Sequence, residues 1–305
     1  MVAGKGFGKI ILMGEHFVVH GAPAIAAGLD RGVTVKLDLI DGFENQISET
    51  IEKETHAHML KALEALQAQN QSSQKVKVHA IDSELPMGQG LGSSAALSVA
   101  LARALNQAEG LNQSDEVINQ NAFASEVIFH GKPSGIDNTV ATYGGLIRFQ
   151  KSLNPGQAPL VQSVNAKKPL YFLILPTHQK GSTRELVENV FEFKAKNEVQ
   201  FQNLLESTED LIRKTNVALE EGALQTMGQA MSLAHEYLNA IGVSNQALND
   251  RVSACIQLGA LGAKLTGAGG GGCVLALFEN ESQRQIAQGK LKVKGYEAFD
   301  ATVKC

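Results

Sequence analysis

A chain of 305 residues has room for one large domain or two, and 44% hydrophobic against 19% charged residues is ordinary globular composition. The net charge of −4 argues against a nucleic-acid partner, which would require a basic face. Three scattered cysteines (Cys255, Cys273, Cys305), no signal-peptide core and no bilayer-length apolar run point to a cytoplasmic protein without a membrane partner.

From residue 8 to 40 the chain reads as short strands, "KIILMG", "AIAAGL" and "VTVKLDL", separated by Gly, Asp and Pro signals. "TIEKETHAHMLKALEALQAQ" has helical spacing and "KVKVHAID" returns to alternation. A glycine-rich loop then opens a helix carrying Leu97, Leu101, Ala104 and Leu105 on one face. A further helix starts at Ser114, a good N-cap, and stops at Gly131. "GGLIRFQ" reads as a strand, and the Pro- and Gly-punctuated stretch 151–169 marks a boundary between domains over 1–160 and 161–305. "LYFLILP" opens the second half as a buried strand, three or four helices follow between 183 and 258, and the end reads strand–turn–strand, helix, strand. Runs of strands and runs of helices argue for an α+β fold.

Four stretches carry chemistry. "GAGGGG" (267–272) satisfies G-x-G-x-x-G, but a strand follows where a dinucleotide fingerprint needs a helix. It reads instead as a glycine hairpin, either a tight turn or a place where backbone approaches a ligand. "PMGQGLGSSAALSVAL" (86–101) follows a strand and opens a helix, without the G-K-[ST] of a Walker A loop. Its glycines permit close backbone approach to phosphate, and Ser93 and Ser94 either cap the helix or ligate a phosphate-bound magnesium ion. In "GKIILMGEHFVVHGAPA" (8–24), alternation from Lys9 places Glu15 on the face of Ile11 and Met13. In "ASEVIFHGKPSGIDNTVATYGG" (124–145), Glu126 and His130 lie one turn apart, and a tight turn presents Asp137. Asp137 there either caps the next helix or supplies, with Glu126, the two carboxylates that suit phosphoryl transfer.

The ordered set of Gly8-Lys9, Gly14-Glu15-His16, "PMGQGLGSSA" (86–95), "GKPSGIDN" (131–138) and "LTGAGGGGC" (265–273) resembles the GHMP kinase superfamily. Within it the likeness is nearest to the mevalonate kinases, and "LNAIGVSNQALN" (238–249) adds to it. The resemblance runs from Gly8 to about Leu277 and implies a two-domain α+β GHMP kinase fold with the active site in the interdomain cleft. It implies phosphorylation of the primary alcohol of mevalonate, with ATP and Mg²⁺ as cofactors. By the same resemblance Pro86, Gly88, Gly90, Leu91, Gly92, Ser93, Ser94 and Ala95 hold ATP, and Ser94 and Glu126 hold the metal. Asp137 becomes the base or orienting acid and Lys9 the cation beside the reacting hydroxyl. Glu15, His16, Thr183, Gly267 and Ala268 become substrate contacts. Phe7 stands where the family places Pro, which alters the approach to Lys9 but removes no catalytic group.

Lys180 or Arg184 could serve the substrate carboxylate, and an anionic Glu15 would repel a substrate that already carries phosphate. Two alternatives stand beside this reading: a GHMP kinase for phosphomevalonate or a related small molecule, and a non-catalytic ligand sensor. A sensor is expected to lack a catalytic lysine or acid, whereas Lys9, Glu126 and Asp137 are all present. The sequence leaves a homodimer open.

Overall fold

The computed structural model of the protein describes residues 1–86, 89–130, 134–154, 157–179 and 181–303, without the side chains at 53–55, 58 and 128–130. The chain forms two compact units, one of Met1–Lys9, Arg31–Met87 and Gly92–Gly144, the other of Ile10–Asp30, Gly88–Leu91 and Gly145–Cys305. Residues 10–30, 88–91 and 145–160 therefore group with the later part of the chain. Two long strands, β1 (Val2–Met13) and β2 (Pro23–Ile40), each contribute to both units.

The first unit adds β3 (Gln46–Ile47), α1 (Lys53–Gln69), β4 (Lys75–Ser83), α2 (Ser93–Ala108), α3 (Asp115–His130) and α4 (Ile136–Tyr143). Here β2 pairs antiparallel with β4, and Val33, Val35 and Leu37 alternate into the core with Val76 and Val78. β1 starts at Val2, ahead of the first strand expected from the sequence, and runs through Gly4, Gly6 and Gly8. The reason is close packing: a Cβ on Gly4 or Gly6 would stand 2.1 Å from the carbonyl oxygen of Ala100 or Ala96 in α2. Glycine in the strand and alanine in the helix let two backbones touch, which outweighs the entropic cost of glycine.

The second unit continues with β5 (Leu146–Gln150), β6 (Leu160–Ser163), β7 (Leu170–Pro176), α5 (Thr183–Lys196), α6 (Glu198–Glu221), α7 (Leu224–Ala240), α8 (Gln246–Gln257), β8 (Gly262–Thr266), β9 (Cys273–Phe278), α9 (Glu281–Val293) and β10 (Phe299–Val303). The first half of β2 pairs with β5 here, so "AIAAGL" and "VTVKLDL" are one strand that changes partner along its length. An antiparallel sheet runs β10-β7-β9-β8. Its core joins Leu173, Leu175, Leu265, Val274, Ala276 and Phe278 with Phe17 and Phe201. Side-chain oxygens of Ser182, Asn245 and Asn280 cap α5, α8 and α9, each accepting a backbone N–H three residues on. The fold is α+β, and no described helix is long and apolar enough to cross a membrane.

His20 contacts the rings of Phe191 and Phe201, with centroids 4.7 Å away in each case. Burial, then the charge of Lys194 and the coupling to the nearby His16 ring, push its pKa down from 6.5 to about 4. His16 and His235 are lowered too, chiefly by burial. Unfolding therefore takes up protons below pH 6.5, so this stabilisation is complete above that pH and is lost as the pH falls toward about 4. The melting temperature is expected to fall between about pH 7.5 and about pH 5, and His20→Leu to reduce that fall. Thermal melts of both proteins at the two pH values test this; equal falls would show that His20 does not contribute.

Candidate active site

In the first unit Lys9 lies on β1 with its side chain 4% exposed, and its Nζ is 3.0 Å from Asp137 Oδ1. The Asp137 side chain is 39% exposed, so the carboxylate balances a buried charge while remaining open to a reactant. Gly135, with φ of 89°, turns the chain into α4, and the Ser134 hydroxyl accepts the Ile136 N–H at 3.3 Å. Asp137 is then the second residue of α4, where the helix dipole favours an anion. It is no cap: Gly135 holds that position without a side-chain bond. Arg103 on α2 donates to the carbonyls of Lys5 on β1 at 2.8 Å and Thr142 on α4 at 2.7 Å. It also pairs with Asp115, and so ties together the two elements that carry Lys9 and Asp137. No motif in the sequence marks Arg103.

The glycine-rich loop passes from the second unit to the first between Leu91 and Gly92. Gly88 lies outside the described residues. Pro86 is half-buried and Leu91, Ser93 and Ala95 are buried. Gly90 and Gly92 have φ of 78° and 70°, and Gly92 is the N-cap of α2. A Cβ at Gly92 would stand 2.6 Å from Lys9 Cγ, so the loop backbone rests directly on the lysine stem. Neither serine caps the helix; both lie inside its first turn. Ser94 Oγ instead donates to Glu126 Oε1 at 2.7 Å, and Ser98 Oγ approaches the same oxygen at 3.5 Å. A hydroxyl and a buried carboxylate form a hard oxygen pair, the ligand type that magnesium takes once or twice from protein while phosphates and waters complete its octahedron. The described residues hold no group of three or more His, Cys, Asp or Glu that would make an all-protein metal cage. The N–H groups of a first helical turn have no intrahelical acceptor, which suits that end of α2 to phosphate.

In the second unit β1 ends at Met13, and Gly14 (φ of 99°) leads Glu15 into a short 3-10 turn over His16–His20. The strand alternation expected to reach Glu15 thus stops before it. Glu15 is paired with Lys264 of β8, and both side chains are out of solvent. The Lys264 ammonium also donates to the carbonyls of Leu265 at 2.7 Å and Ile11 at 3.3 Å. The expectation of a bare Glu15 charge repelling phosphate does not survive this pairing, because the charge is balanced where it sits. Lys264 escaped sequence reasoning; its one signal is a lysine inside the otherwise apolar, buried strand "GAKLT".

His16 Nε2 lies 2.7 Å from the carbonyl oxygen of Ala268. A carbonyl only accepts, so Nε2 carries the hydrogen and Nδ1 presents a lone pair. Burial lowers the pKa of the ring, against a smaller upward pull from the Ala268 carbonyl, and keeps it neutral. Nδ1 is buried and has no hydrogen-bond partner among the described residues. The adjacent Gly267 packs on Gly90, where a Cβ would meet the Gly90 carbonyl oxygen at 3.1 Å. Glu15, His16, Gly267 and Ala268 are thereby gathered around β8 and its hairpin. Thr183 is exposed at the start of α5, and Arg184 is an exposed partner of Glu188. Lys180 lies outside the described residues.

The sequence matches the family model for the GHMP kinases N terminal domain over residues 57–145 and that for the GHMP kinases C terminal over 215–297. A mevalonate kinase from Thermococcus sibiricus is 33% identical, over 94% of this chain and 91% of its own. One from Pyrococcus furiosus is 34% identical, over 92% of this chain and 89% of its own. The crystal structure of L. major mevalonate kinase in complex with R-mevalonate superposes with a TM-score of 0.90 at 33% identity. That match covers all of this chain and 96% of the L. major chain.

Gly92→Ala is expected to be costly on two counts. Its left-handed backbone alone costs a non-glycine residue about 1–3 kcal/mol, and the new methyl collides with Lys9. Gly110→Ala, with φ of 64° and nothing within 4 Å of the added Cβ, isolates the backbone share. Denaturant melts should show the larger loss at Gly92, and phosphotransfer should fall only there. Equal losses in both measurements would remove the contact between loop and lysine from the account.

Proposed function

We propose, on the premise that this chain belongs to the mevalonate kinase family of the GHMP kinases, that it transfers the γ-phosphoryl group of ATP to the primary alcohol of mevalonate, giving 5-phosphomevalonate for isoprenoid synthesis. The observation that carries this reading is the buried Lys9 ammonium 3.0 Å from a half-exposed Asp137 carboxylate. Asp137 accepts the hydrogen bond of the substrate hydroxyl and then its proton as the oxygen bonds to the γ-phosphorus. The bond from that phosphorus to the β-phosphate oxygen breaks, and ADP carries away the electron pair. Lys9 stabilises the negative charge that grows on the attacking oxygen, at a site where little water screens it. Backbone N–H groups of the loop and of the first turn of α2 bind the phosphates. Ser94 and Glu126 supply oxygens for a magnesium ion, whose charge would offset that of the transferring group. Glu15 accepts from a hydroxyl of mevalonate, and the lone pair of His16 Nδ1 offers a second acceptor.

An ADP-release assay over mevalonate, phosphomevalonate, homoserine and galactose tests the substrate, with turnover expected on mevalonate. A preference for any other member of the panel would overturn the assignment. Asp137→Asn keeps the size of the side chain but cannot take a proton, and is expected to lower kcat by about 10²–10⁴-fold while ATP binding persists. Near-normal kcat in that variant would remove Asp137 from the chemistry. Because Gly92 caps α2, Ser94→Ala removes no cap; it is expected to raise the magnesium and ATP concentrations needed for half-maximal rate. An unchanged metal requirement would withdraw Ser94 as a ligand.

A further inference from the structure

Lys264 is a fully buried lysine whose ammonium donates to Glu15 Oε1, to the Leu265 carbonyl and to the Ile11 carbonyl. Thr266, two residues further along β8, holds the same stretch of β1 from the same side. Its Oγ1 accepts the Ile11 N–H at 2.9 Å and donates to the Ile11 carbonyl at 3.3 Å. Lys264 thus fixes both the strand end that leads into Glu15 and the carboxylate itself. Further along the chain, the Ala268 carbonyl reaches the His16 side chain. A buried ion pair is weak as a source of stability, because desolvation of the two charges consumes most of their attraction. Geometry is what such a pair supplies: the ammonium, itself tied to carbonyls of β8 and β1, holds the Glu15 carboxylate by a directed bond to Oε1.

We propose that Lys264 is a positioning residue for substrate, holding Glu15 in the orientation from which it accepts a mevalonate hydroxyl. The proposal rests on the reading of Glu15 as a substrate contact. Lys264 then acts only through Glu15, so its loss is expected in the affinity for mevalonate. The handling of ATP, assigned to other residues, stays unchanged.

Steady-state kinetics on Lys264→Met, Lys264→Arg, Glu15→Gln and the double variant Glu15→Gln/Lys264→Met test this, with thermal melts to establish folding. Lys264→Met should raise KM for mevalonate by about tenfold or more, the scale of one charge-assisted hydrogen bond, with KM for ATP unaltered. Lys264→Arg, which keeps the cation, should recover part of that loss. The double variant, which carries no unpaired buried charge, should be within about twofold of Glu15→Gln in KM for mevalonate, because coupled residues are not additive.

An unchanged mevalonate KM in Lys264→Met, with a raised one in the double variant, would overturn the proposal while leaving Glu15 as a substrate contact. A wild-type KM in the double variant would remove Glu15 from the substrate site and overturn both. Should Lys264→Met fail to fold, Glu15→Gln against the double variant decides. A double variant about tenfold worse than Glu15→Gln would show that Lys264 acts independently of Glu15 and overturn the proposal.

Discussion

Lys9 and Lys264 each carry a positive charge almost completely out of water, and a charge so placed requires an opposite charge and oriented acceptors within reach. That requirement organises both units from inside. In the first, it joins β1 to the first turn of α4 through Asp137. In the second, it joins the turn after β1 to β8 through Glu15. The two pairs differ in what remains available. The Asp137 side chain stays open to solvent, whereas that of Glu15 is enclosed with its partner. Two chemically similar ion pairs thus differ in exposure, and exposure decides which chemistry each is suited to.

Placing these charges depends on backbones that approach closely. Gly4 and Gly6 let α2 lie against β1, and α2 is the helix that carries Ser94 at one end and Arg103 further along. Gly92 lets the glycine-rich loop rest on the stem of Lys9. Every one of these contacts excludes even a single methyl group, so the glycines set distances in the site as firmly as the charged residues do. Arg103 reinforces the arrangement by bonding to carbonyls on β1 and α4, which limits independent movement of the two halves of the Lys9–Asp137 pair.

Histidine burial has a parallel logic. His235 accepts the Leu265 N–H at Nδ1 and faces Asn249 through Nε2, so its neutral tautomer is written into the hydrogen bonds beside β8. His16 has the same tautomer for the same kind of reason, a carbonyl at Nε2. The His235 ring therefore adds no second positive charge beside the Lys264 strand, and protonating it would work against the ammonium already there.

Much of this was legible in the chain itself, because local rules govern it. Gly90, Gly92, Ser93 and Ser94 before an unbroken helical pattern announced a loop and a helix N-terminus, and Ser134-Gly135 before Asp137 announced a tight turn into α4. Alternation and turn residues gave the strand–hairpin–strand of β8 and β9, and Ser114 marked the start of α3. What the sequence could not decide was set by partners far along the chain. Whether Ser94 caps a helix or binds Glu126 depends on where α3 lies, 32 residues away. Glu15 and Lys264 meet across 249 positions, and neither alternation nor composition encodes a register that long. β1 begins at Val2 only because α2 is there to pack on its glycines, and Arg103 has a role only because β1 and α4 both come within its reach. Backbone preference and hydrophobic period act over a few residues and are written locally. The pairing of buried charges and the contact of bare backbones exist only once the chain has folded.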